Sequence, residues 1–143
     1  MCIRDSTKIR PLIVDFDPAE FSGYAKKESA DNPEEKETES PIEKTLKAMP
    51  EALDKYRSLY TDYYNRCKRD DSPAMRDPNP VVYLVPGVGM ITFAKDKATA
   101  RISAEFYTNA INVMRESSSV STYCGLPEQE AFDIEYWLSL IHI

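Results

Sequence analysis

Val81-Val-Tyr-Leu-Val-Pro-Gly-Val-Gly-Met-Ile-Thr-Phe93 decides the fold class. Val81–Val85 is apolar at every position, as in a central strand covered on both faces. Pro86-Gly-Val-Gly89 is a tight turn, and Met90–Phe93 makes a second strand, so the stretch predicts a hairpin. Downstream, Asp96 is placed to cap a helix over about 96–115. Its expected core face is Ala98, Ile102, Phe106, Ala110 and Val113, at spacings of 4, 4, 4 and 3. Glu116–Ser119 reads as a loop, and Gly125-Leu-Pro-Glu128 starts a last helix.

Upstream, residues 70–80 form a connection punctuated by Pro73, Pro78 and Pro80. Before it, Glu51–Lys68 predicts a strong helix, with Leu53, Tyr56, Tyr60, Tyr63 and Cys67 in one stripe. A stripe rich in tyrosine needs hydroxyl partners or a wet edge. Ser40-Pro41-Ile42-Glu43 has the form of a capping box with Pro at the first helical position, and Pro50 is expected to end or kink that stretch. Residues 22–40 are polar and aperiodic and read as an exposed insertion. Pro11–Phe16 reads as a buried strand broken by Asp17-Pro18. The expected class is mixed α/β, in the order β-α-β-β(hairpin)-α-α.

The chain has 143 residues, 18 Lys and Arg against 24 Asp and Glu, and a net charge of −6. One domain is the most this length holds, and the acidic balance argues against nucleic acid as a partner. No apolar run is long enough for a membrane span. Three scattered cysteines fit a reducing compartment rather than a disulfide framework, and a cytoplasmic location is expected.

Both ends carry a separate signal. Met1-Cys-Ile-Arg-Asp-Ser6 and Leu138-Ser-Leu-Ile-His-Ile143 translate one DNA word read in both directions: ATG TGT ATA AGA GAC AG and its reverse complement CTG TCT CTT ATA CAC AT. Residues 1–6 and 138–143 are read as library-adapter translation and excluded from fold reasoning. The remainder then divides into 7–21 (strand and turn), 22–50 (polar insertion) and 51–137 (α/β segment), and is expected to be an internal piece of a longer protein.

His142, the only histidine, and Cys2 fall in the excluded ends. A zinc site needs three or four His, Cys or carboxylate ligands, so no metal ligand is assigned. A Ser–His or Cys–His pair lacks its base, and no catalytic residue is assigned either. Gly87 and Gly89 are candidates for a phosphate-binding turn. A dinucleotide fingerprint would run into a helix, whereas a strand comes next here, so a structural turn is the stronger reading. Glu128, Glu130, Asp133 and Glu135 suggest acid–base work only in principle, since Glu128 and Glu130 suit a helix N-terminus. Lys95 and Lys97 flank the turn and could meet a phosphate; solvated surface lysines are the plainer reading.

Asp77–Arg101 and Ser121-Thr-Tyr-Cys-Gly-Leu-Pro-Glu-Gln-Glu-Ala-Phe-Asp-Ile-Glu-Tyr-Trp137 closely resemble the bacterial bifunctional rhamnulose-1-phosphate aldolase/short-chain alcohol dehydrogenase family. Thr7–Pro18 and Asp71–Arg76 are similar to it too. The resemblance implies a class II zinc aldolase joined to an NAD-dependent dehydrogenase. It implies cleavage of rhamnulose 1-phosphate to dihydroxyacetone phosphate and lactaldehyde, then oxidation of the lactaldehyde. This segment resembles the late aldolase region, with Pro86-Gly87-Val88-Gly89 where such enzymes often carry Asn-His-Gly. The parent is then expected to use zinc and NAD, to bind a sugar phosphate and to be a homo-oligomer. This segment would be scaffold, inactive alone, with the rest of its own parent chain as partner. The alternative is a non-catalytic α/β docking or oligomerisation module.

Overall fold

The structure, a computed structural model, describes residues 8–29 and 39–136. Its elements are β1 (Leu12–Ile13), α1 (Pro18–Ser29), α2 (Pro41–Cys67), β2 (Val82–Val85), β3 (Gly89–Thr92), α3 (Lys97–Val120) and α4 (Glu128–Glu135). The class is mixed α/β, with one three-stranded sheet in the order β1-β2-β3.

β2 is central: it pairs in parallel with β1 and antiparallel with β3. Leu12, Tyr83 and Ile91 lie in register on one face; α2 and α4 residues pack on Leu12 and Tyr83, and Ile91 is exposed. Leu12, Tyr56, Tyr60, Tyr63, Cys67, Phe132 and Tyr136 form the buried cluster there, with Tyr83 packed against it. α3 packs on the hairpin from the other side, where the Thr92 hydroxyl donates to the Ala100 carbonyl at 2.9 Å. Turn geometry fixes the hairpin. Gly87 has φ 73°, and a Cβ there would sit 2.5 Å from Cβ of Pro18. Only glycine supplies both the backbone angle and the clearance.

The expected tyrosine stripe is the buried face of α2. The capping box forms: the Ser40 hydroxyl accepts from the Glu43 N–H at 3.2 Å, and the Glu43 carboxylate accepts from the Ser40 N–H at 3.1 Å. Pro50, expected to end or kink the helix, lies inside it. Its missing N–H costs one helical bond, but the turns on both sides are held. The Thr45 hydroxyl donates to the Asp15 carbonyl at 3.1 Å, and Met49, Ala52 and Leu53 pack on the cluster.

Three further expectations are corrected. Part of the stretch read as an exposed insertion is helical, and α1 adds one helix to the expected order; residues 30–38 lie outside the described residues. Asp17-Pro18 starts this helix rather than only breaking a strand. The Asp17 carboxylate accepts from the Ala19 N–H at 2.8 Å, and its carbonyl accepts from the Phe21 N–H. The third is α3, which runs on through the expected loop to Val120. Its buried residues are Thr99 and Ser103, whereas Phe106 and Val113 are exposed. Small polar residues let the helix approach the sheet closely, and Ser103 satisfies its hydroxyl on the Thr99 carbonyl at 3.0 Å.

Candidate functional site

A cleft of about 620 Å3 opens where five segments meet. The N-terminal segment contributes Lys8, and the connection between α2 and β2 contributes Arg76, Asp77 and Asn79. The turn after β3 brings Lys95, the first turn of α3 brings Thr99, and the end of α4 brings Glu135. Asp96 caps α3 at this rim, accepting from the Thr99 N–H at 2.7 Å. That bond holds its carboxyl below the usual carboxylate range.

Beneath the cleft lies a buried network of phenols around one carboxylate. The Tyr60 hydroxyl donates to Glu135 Oε1 at 2.6 Å, and the Tyr63 hydroxyl donates to Oε2 at 3.1 Å. Tyr136 Oη lies 2.6 Å from Tyr60 Oη. Tyr60 spends its single proton on Glu135, so Tyr136 is the donor of that bond. Tyr136 in turn accepts from the Arg76 N–H at 3.4 Å. The chain of donors runs from the loop backbone to Tyr136, to Tyr60 and into the carboxylate. Burial, with the Glu135 charge beside them, pushes the Tyr60 and Tyr63 phenols far above their ordinary range. These phenols stay protonated and act as fixed donors.

The periodicity of the sequence explains why these groups meet. Tyr60 and Tyr63 lie three apart on α2, and Phe132, Glu135 and Tyr136 lie three and four apart at the end of α4. Tyr136 stacks on Phe132 with ring centroids 4.5 Å apart, and Phe132 meets Tyr63 edge-on at 5.7 Å. Two ion pairs brace this packing: Arg66 of α2 with Glu128 at 2.7 Å, and Arg69, just past the end of α2, with Asp133 at 2.7 Å.

The residues singled out in the sequence are scattered. Gly87 and Gly89 form the hairpin turn and do not line the cleft. Gly87 has Pro18 against it. Lys95 lines the cleft and Lys97 does not. Of the four carboxylates of α4, Glu128 and Asp133 brace α2, Glu130 is exposed, and Glu135 is buried at the cleft floor. Sequence reasoning missed Lys8, Arg76, Thr99 and Tyr136. The signal available for the network was the stripe's demand for phenol partners, which Glu135 meets.

Among the described residues, no group of three or more His, Cys, Asp or Glu side chains is placed to hold a metal. The described donors do not make up a zinc site. No described helix is long and apolar enough to cross a membrane.

Residues 26–139 match the family described as aldolase class II, second domain. The chain belongs to this family. It is also similar to the uncharacterized oxidoreductase YuxG of Bacillus subtilis (strain 168), with 28% identity over 131 residues. That match covers 92% of this chain and 16% of the relative, so the chain spans about a sixth of the relative's length. No solved structure matches it. Within the family match lie α2, the hairpin, α3 and α4, and so most of the cleft; Lys8 lies before it.

Proposed function

We propose that this chain is a scaffold part of a bifunctional enzyme of L-rhamnose catabolism. In the whole protein a class II aldolase would cleave rhamnulose 1-phosphate to dihydroxyacetone phosphate and lactaldehyde. A linked NAD-dependent dehydrogenase would oxidise the lactaldehyde. The observation that supports this reading is a class II aldolase domain that is similar to part of a much longer relative named as an oxidoreductase. Zinc and NAD are assigned to other parts of that polypeptide, because the donors and the glycine turn here fit neither. The whole protein is proposed to be a cytoplasmic homo-oligomer, consistent with Cys67 and Cys124 both being free thiols.

In this reading the chain's residues position rather than react. The phenol network locks the end of α4 to α2, and the Arg66 and Arg69 ion pairs fix its angle. The purified 143-residue chain, assayed with rhamnulose 1-phosphate and zinc, should release no dihydroxyacetone phosphate. Full-length YuxG should release it and should reduce NAD with lactaldehyde. Cleavage by the 143-residue chain would overturn the scaffold assignment, and a full-length relative lacking both activities would overturn the enzyme assignment.

One observation favours the second reading, a docking or oligomerisation module. Phe106, Val113 and Val120, farther along the α3 face that carries Thr99 and Ser103, are exposed, as is Ile111, which is more apolar surface than a solvated helix needs. Genomic sequence flanking the chain separates the two readings. A His-x-His pair upstream and a Gly-rich strand–turn–helix downstream would favour the enzyme.

A further inference from the structure

We infer that Lys8 presents a reactive amine, placed in the cleft to condense with a small aldehyde that carries an anionic group. The placement comes from four neighbours on three segments. Lys8 Nζ sits 3.7 Å from the centre of the Tyr60 ring of α2. It donates to the backbone carbonyl of Asp77 in the connection. Glu135 of α4 and Arg76 of the connection act on it electrostatically. Ring and carbonyl hold the amine at the wall of the cleft that Lys8 lines. Arg76 and Lys95 line the same cleft and supply positive charge for an anionic substituent.

Condensation needs the neutral amine, whose nitrogen lone pair attacks. Desolvation at the cleft wall pulls the Lys8 pKa down to about 8 and Arg76 assists, while Glu135 and Asp77 oppose. At pH 7 about a tenth of Lys8 is then neutral, against roughly one in 2,500 for a lysine at its ordinary value. The step balances without an oxidant or reductant. The lone pair forms the C–N bond, and the carbonyl oxygen gains a proton to give a carbinolamine. That hydroxyl leaves as water with the second amine proton as the C=N bond forms. The inference does not rest on the rhamnulose-phosphate reading, because it concerns an amine and a carbonyl and needs no metal.

The test uses the 143-residue chain with pyridoxal 5′-phosphate at low molar ratio and pH 7, trapped with borohydride and mapped by peptide mass. Lys8 should label at least tenfold faster than the average of the other lysines, with a pH midpoint near 8. Inorganic phosphate should slow this labelling and leave reductive labelling of Lys8 by formaldehyde unchanged. Lys8→Arg and Lys8→Gln should each lose the dominant adduct while keeping the parent circular dichroism. Labelling spread over lysines in proportion to exposure, or a Lys8 midpoint near 10, overturns the inference whatever the variants do. Indifference to phosphate overturns the anionic-group half of it.

Discussion

Tyr60→Phe removes one oxygen atom from the middle of the buried network and leaves the ring in place. Two bonds go with it, both at 2.6 Å: the donation to Glu135 Oε1 and the acceptance from Tyr136. Glu135 keeps Tyr63 on its other oxygen, so the carboxylate is not left bare. Tyr60 is 4% exposed and Tyr136 is also 4% exposed, so water does not replace the lost partner. A buried group left without its bond costs about 1–3 kcal/mol, and with two groups affected the expected loss is about 2–3 kcal/mol. Tyr63→Phe removes a single longer bond of 3.1 Å and should cost about 1 kcal/mol. Urea unfolding monitored by circular dichroism measures both. At a slope of about 2 kcal/mol per molar urea, Tyr60→Phe should lower the midpoint by about 1 M and Tyr63→Phe by about half that. A Tyr60→Phe change under about 0.5 kcal/mol, or a larger loss for Tyr63→Phe, would refute this order of donors.

Alkaline pH should weaken the fold. The Tyr60 and Tyr63 phenols have raised pKa values in the folded state, so their stabilisation is complete below the unfolded value of about 10 and is lost as pH rises above it. A urea midpoint that stays level from pH 9 to pH 11 would contradict this. Gly87→Ala forces a side chain onto Pro18 at a positive φ and should destabilise by about 2 kcal/mol or more, read as a lower melting temperature. Phe132→Ala, in the core at 2% exposure, should cost about 3–5 kcal/mol, whereas Val113→Ser, half exposed on α3, should stay within about 0.5 kcal/mol. Ser40→Ala breaks the capping box at the head of α2 and should cost about 1 kcal/mol, seen as faster amide exchange in the first turn.

Local signals were legible where one stretch of chain carries its own answer. The hairpin turn, the Ser40 capping box and the Tyr56–Cys67 stripe rest on backbone angles, orphan N–H groups and a 3.6-residue repeat, all written in adjacent residues. Asp17-Pro18 was misread because an Asp before a proline breaks a strand and caps a helix with the same atoms. Which role applies depends on the residues C-terminal to the pair, and α1 has a weak apolar pattern. The α3 stripe shows the opposite failure. Its spacing correctly signals a helix, but periodicity reports that a face is apolar, not which neighbour meets it. Thr99 and Ser103 share that face with Phe106 but lie on the first turns, where Thr92 of the sheet meets α3, whereas Phe106 and Val113 lie farther along and are exposed.

By itself the amino-acid sequence determined the α/β class, the central apolar strand, the helix stripe and the shortage of metal ligands. Tertiary structure alone decided that Glu135 accepts from Tyr60 and Tyr63 across 75 and 72 positions of chain, and that Lys8 reaches the same place from the other end. Backbone torsions and side-chain periods act over a few residues. A buried carboxylate and a desolvated amine instead depend on groups that only the closed packing of distant helices brings within 3–4 Å.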